Sequence, residues 1–159
     1  MKVGAPLALL IASLAANGLL TGATLDQAIK QLPARKRIGV LAYSDYSRAA
    51  DLGNGLIWYP VIGVGTAALS VVAGAVGLAD HASGIQAAAL IALIAGSVAH
   101  MGSTALAAPT NISQRRAIGD EMTLERIFDR FARLNAVRAA LMVATLGIAI
   151  WAVVATIQA

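Results

Sequence analysis

One stretch, Leu124 to Trp151, constrains this chain more than any other. It begins as a charged amphipathic segment, LERIFDRFARLNAVR, and runs without a break into an apolar one, AALMVATLGIAIWAVV. Read as one helix, it leaves water and enters lipid. Ile127, Phe128, Phe131 and Leu134 recur at spacings of three and four, which defines a buried face. Asn135 and Arg138 lie on that face at the junction of the two halves. Two strong polar groups are therefore expected to point into the protein.

Composition agrees with a membrane solvent. The chain has 159 residues, of which 58% are hydrophobic and 13% charged, against about 25% charged in an ordinary soluble domain. The expected fold is all-α: a single transmembrane domain, residues 1–159, forming an integral membrane four-helix bundle. Its spans are expected at about residues 3–22, 56–78, 84–108 and 136–157, with amphipathic cytoplasmic helices between the first and second spans and between the third and fourth. The absence of cysteine excludes disulfides, iron–sulfur clusters and thiolate zinc sites. His81 and His100 cannot share a haem in one protomer, since up to about 28 Å of helix separates them. No metal or cofactor is expected.

The first span opens on Lys2 and Val3. A basic start before an apolar run also describes a signal peptide, but the run is long for a signal core and is read as a retained span. Ser13, Asn17 and Thr21 form a polar stripe along it. Asn17 either bonds a neighbouring helix, typically for about 0.6 kcal/mol, or lines a pocket. The connection from Thr24 to Asn54 reads as two short surface helices separated at Pro33. Its Arg35, Lys36 and Arg37 read as a positive-inside signal. Asp45, Arg48 and Asp51 recur every three residues, as a solvated charge ladder or as one wall of a pocket.

In the second span Gly63, Ala67, Ser70, Gly74 and Gly77 form a small-residue seam. Ala88, Ala92, Ala95, Ala99 and Gly102 form another in the third, so the two are expected to pack as a tight hairpin. His100 is an intramembrane histidine, serving either as a hydrogen-bond donor to another helix or as a base or ligand. Apart from Lys2, Lys and Arg fall in the two long connections, the second counted through Arg138, and none lies in the turn around Asp80. Both connections are thus expected in the cytoplasm, with both termini outside, and no nucleic-acid role is implied by the charge. Arg138 either snorkels to head groups or faces a cavity open to the cytoplasm and lined by Asn17, His100, Asn135 and Arg138 beneath the helix of Asp45 to Asn54.

The order of a first span, a connection containing LPAR, a glycine-rich second span, APTN closing the third and RFARLNAVR opening the fourth resembles the anthrone oxygenase-like family of small four-span membrane proteins. The family pattern keeps Pro109 and Asn111 here, and Asn111 joins Asn17, Asp45, Arg48, Asp51 and Asn135 as a candidate ligand-binding residue. Phe131 and Leu134 stand where the family usually has tryptophan. The resemblance implies cofactor-independent oxidation of a polycyclic aromatic or quinone-like substrate. In that chemistry His100 or an acid of the first connection removes a proton, and Arg138 with Asn135 stabilises the oxyanion. The alternative from another class is a non-enzymatic accessory subunit, or a bundle that binds lipid or a small hydrophobic ligand. Expected partners are membrane lipids, a hydrophobic small molecule and further copies or subunits of a membrane complex. The expected location is a bacterial inner membrane.

Overall fold

The structure is a computed structural model that describes residues 4–159; Lys2 and Val3, where the first span was expected to open, lie outside them. Four helices are long and apolar enough to cross a membrane: α1 (Ala5–Ile38), α2 (Val40–Ala79), α3 (Gly84–Arg116) and α4 (Glu121–Gln158). The described residues contain no strand. The helices form a ring in chain order, α1 beside α2 and α4, and α3 beside α2 and α4. Neighbours are antiparallel: Ser13 meets Ser70 while Gln27 meets Asp51, and Thr21 meets Met142 while Arg35 meets Asp129. Short turns at both ends enforce this arrangement.

The connections are not separate surface helices. Each is an extension of a span, so all four helices project beyond their apolar parts at one end of the bundle, where the charged residues among those described, Asp80 excepted, are found. Pro33 does not end α1. The helix widens into a π turn over Gln27–Gln31, in which the Leu32 N–H bonds to the Gln27 carbonyl, and Pro33 follows in the first turn of Leu32–Ile38. A proline is tolerated at the start of a helical segment because its missing N–H has no obligatory partner there. The chain reverses instead at Gly39, whose φ of 84° suits glycine. At the other reversal Asp120 caps α4 by accepting the Thr123 N–H at 3.0 Å. Hydrogen bonds from Thr123 hold the Asp120 carboxyl below the usual carboxylate range.

The interior is stacked in layers along the bundle. Farthest from the charged end is an apolar core of Leu10, Ala73, Leu90, Leu93, Ala149 and Ala152. Here α2 packs through its small-residue seam at Gly74 and Gly77, but the expected α3 seam is not the contact. Ala88, Ala95, Ala99 and Gly102 are exposed, and α3 instead turns Leu90 and Ile94 inward, whose bulk fills the groove that the α2 glycines leave. A Cβ added at Gly74 would lie 2.7 Å from Ile94 Cγ1 and 3.2 Å from the Leu90 carbonyl oxygen, and one at Gly77 would lie 2.8 Å from Leu90 Cδ1. Next comes a hydrogen-bonded layer of Ser13, Asn17, Thr66 and Ser70. A polar network and a cavity follow. At the charged end the bundle closes with an apolar plug in which Tyr43 and Phe128 meet edge to face, 4.9 Å apart, among Leu32, Val40, Leu124 and Phe131.

Since the seam has no room for a larger side chain, Gly74→Leu is expected to cost about 1–3 kcal/mol and to lower the unfolding temperature of the detergent-solubilised protein. Gly65→Leu, where an added Cβ meets nothing within 4 Å, serves as the control. Equal unfolding temperatures for the two variants would contradict a close-packed α2–α3 seam.

Candidate functional site

Arg138 is the centre of the polar layer. It sits on α4 one turn beyond Asn135, buried, where the helix passes from its charged to its apolar half. Its Nη2 donates to Asn135 Oδ1 at 2.6 Å and, across the bundle, to Gln27 Oε1 at 2.8 Å. With 8% of its surface exposed, the side chain is directed into the protein and does not snorkel to head groups. Its Nε has no partner, and neither has Asn135 Nδ2. Unpartnered donors at this burial are uncommon and call for a ligand or water.

Gln27 is the bridge to the first connection. Its Nε2 lies 3.5 Å from Asp51 Oδ1, while Asp51 Oδ2 accepts from Ser47 Oγ at 2.8 Å. Ser47 accepts from Gln114 Nε2 at 3.1 Å, and the same amide reaches Asn111 Oδ1 at 2.8 Å. A continuous polar chain thus runs from α4 through α1 and α2 to α3. Gln27 and Asp51 both occupy π turns, Gln27–Gln31 and Ala50–Asn54. A π turn inserts an extra residue per turn and re-aims the side chains around it. In α2 it is accompanied by a kink at Gly53.

Beside this chain lies a cavity of about 260 Å³. Its polar lining comes from Arg138, Gln27, Asp51, Asn111, Thr24, Thr104 and Tyr59, and the remaining wall is apolar. The apolar plug closes the bundle beyond it at the charged end, where Tyr43 and Phe128 are almost fully buried. This corrects the expectation of a cavity open to the charged side, because the large side chains at Tyr43, Leu124, Phe128 and Phe131 fill that end. The lining residues of α1 and α4 are buried, whereas Leu56 and Val64 of α2 and Ile112 of α3 are exposed. The cavity therefore opens sideways, between α2 and α3.

Of the residues singled out in the sequence, Arg138, Asp51 and Asn111 line the cavity, and Asn135 holds Arg138 from behind. Asn17 lies elsewhere, its Nδ2 donating to the Ser13 carbonyl at 2.8 Å and to Ser70 Oγ at 2.9 Å between α1 and α2. Asp45 and Arg48 pair with each other on the outer face of the helix, away from the cavity. They do not share a face with Asp51, because three-residue steps rotate backwards around a helix of 3.6 residues per turn. His100 is buried in α3, outside the cavity lining, with neither ring nitrogen hydrogen-bonded. No group of three His, Cys, Asp or Glu among the described residues is placed to hold a metal ion.

Gln27, Ser47 and Gln114 are the participants that the sequence reading missed. Gln27 had a signal: the buried positions Ser13, Asn17, Thr21, Thr24 and Gln27 continue one helical stripe beyond the expected end of the first span. Comparison of the chain with family models, curated proteins and solved structures finds no match.

Arg138→Met removes the guanidinium and strands Asp51, with an expected cost of about 3–5 kcal/mol. Adding Asp51→Asn is expected to recover part of that loss, giving a coupling of about 0.5–3 kcal/mol in a double-mutant cycle followed by denaturant unfolding. Strict additivity of the two losses would contradict the link through Gln27.

Proposed function

We propose that this chain is an integral membrane protein whose cavity binds a hydrophobic small molecule, aromatic or quinone-like, by a polar group directed at Arg138. The observation that carries the reading is the convergence of Arg138, Gln27, Asp51 and Asn111 on one side of an otherwise apolar cavity. A few polar groups that converge in an apolar recess are the ordinary composition of a small-molecule site, where the apolar wall supplies affinity and the polar groups fix orientation. The four long apolar helices and the clustering of the basic residues other than Lys2 at one end support insertion in a membrane, with both connections on the cytoplasmic side of a bacterial inner membrane.

A second reading, oxidation of such a molecule by dissolved dioxygen, which takes the electrons from its anion without a cofactor, is favoured by one further observation. Asp51, an acid of the first connection, lines the same cavity as Arg138. In that reading Asp51 accepts a proton from the bound molecule, and Arg138, oriented by Asn135 at 2.6 Å, stabilises the anion formed. His100 lies outside the lining and is assigned no step in this reading. The resemblance to the anthrone oxygenase-like family points towards the same chemistry.

Native mass spectrometry of protein released from gently solubilised membranes is expected to detect a bound small molecule. Arg138→Gln is expected to lose it, and so is Thr104→Trp, which fills the cavity at a half-buried position outside the polar chain. Retention of the same molecule by both variants would place it elsewhere and overturn the reading.

A further inference from the structure

The cavity's charge and its opening together restrict what it takes. Arg138 is the one cation and Asp51 the one carboxylate among the residues that line it. Gln27 joins them, accepting from Arg138 at 2.8 Å and facing Asp51 Oδ1 at 3.5 Å. The formal charges cancel within the protein, so an ionised ligand head would add an unbalanced charge at a buried site. Such a charge is expensive in low dielectric. What the site offers instead is a donor on one side and an acceptor on the other, Arg138 and Asp51, each already partly engaged. A ligand head that complements both carries a hydroxyl as well as an oxygen acceptor, and no net charge.

The opening sets the route. The wall formed by α1 and α4 is buried, the charged end is closed by the Tyr43–Phe128 plug, and the exposed lining belongs to Leu56, Val64 and Ile112. An apolar mouth on the outer surface of a membrane bundle faces hydrocarbon rather than water. A volume of about 260 Å³ is small for a whole membrane lipid, and it lies just below the range of about 300–1,000 Å³ common for ligand sites. A long tail would extend through the mouth into the bilayer.

We infer that the ligand is an uncharged, hydroxyl-bearing amphiphile that reaches the cavity laterally from the membrane, between α2 and α3, head first towards Arg138 and Asp51. The inference rests on the small-molecule reading above and adds the charge of the head and the path. It is tested with the full chain in phosphatidylcholine nanodiscs and three probes of equal chain length: dodecane-1,2-diol, dodecanesulfonate and dodecyltrimethylammonium. Each carries a photoreactive diazirine at the end of the tail, and labelled residues are mapped by mass spectrometry.

The diol is expected to label the mouth around Leu56, Val64 and Ile112. That labelling is expected to fall at least tenfold in Thr104→Trp, and to be at least tenfold weaker for both charged probes. Equal or stronger labelling of the mouth by a charged probe, still lost in Thr104→Trp, would overturn the inference and leave the cavity-binding reading standing. Diol labelling confined to the charged end, at residues such as Ser44 and Gln114, would overturn the lateral route. Mouth labelling that Thr104→Trp leaves unchanged for every probe would overturn both readings.

Discussion

A guanidinium inside an apolar bundle is the constraint that the rest of this structure accommodates. A buried charge is costly in an apolar interior unless it is paired and hydrogen-bonded. Arg138 is provided for by Asn135 on its own helix and by Gln27 across the bundle, with Asp51 beyond Gln27. Helices α1 and α2 meet that demand through π turns at the two positions that carry Gln27 and Asp51. The network in turn fixes how α1, α2 and α4 sit against one another at that level, because each contributes a partner that the others need.

Packing along the bundle changes character at the same level. Away from the network, α2 and α3 approach until glycine is the residue that fits, at Gly74 and Gly77. Near it, the kink at Gly53 and Pro60 in the mouth of the cavity accompany the space that opens between the two helices. The plug of Tyr43, Leu124, Phe128 and Phe131 then restores a dry core between the network and the charged end. A polar site is thus enclosed on both sides along the bundle axis by apolar layers, and its free side faces outward between α2 and α3. The hydrogen-bonded layer of Asn17, Ser13 and Ser70 belongs to packing, and it gains from the lack of competing water in the interior.

Much of this was legible in the residues. The charged-to-apolar transition at Asn135 and Arg138 identified one long helix and its inward polar pair, and the α2 seam at Gly74 and Gly77 followed from spacing, whereas the matching stripe of small residues on α3 faces outward. The extensions of α1 and α2 were harder to read, because Pro33 and the charges at Asp26 and Lys30 look like the end of a helix when the π turn that accommodates them has no sequence signature. That misreading hid Gln27, which lies inside the π turn. The grouping of Asp45 and Arg48 with Asp51 failed for a related reason: regular spacing suggested a common face, but only Asp51 turns inward. His100 shows the limit of reading a polar residue in a span as a site, since burial alone does not place it against the cavity.

Access to the cavity is the most direct test of the account. The chain has no cysteine, so a spin label can be attached at a single introduced cysteine, in place of Thr104 in the cavity wall or of Asp45 on the exposed face, with the protein in lipid bilayers. The account predicts that collisional relaxation of the label at 104 is strong with oxygen, which concentrates in hydrocarbon, and weak with a water-soluble nickel complex, whereas the label at 45 shows the reverse. Relaxation at 104 by the nickel complex as strong as that at 45 would mean that the cavity communicates with water, and would contradict a site sealed at its charged end and open to the membrane.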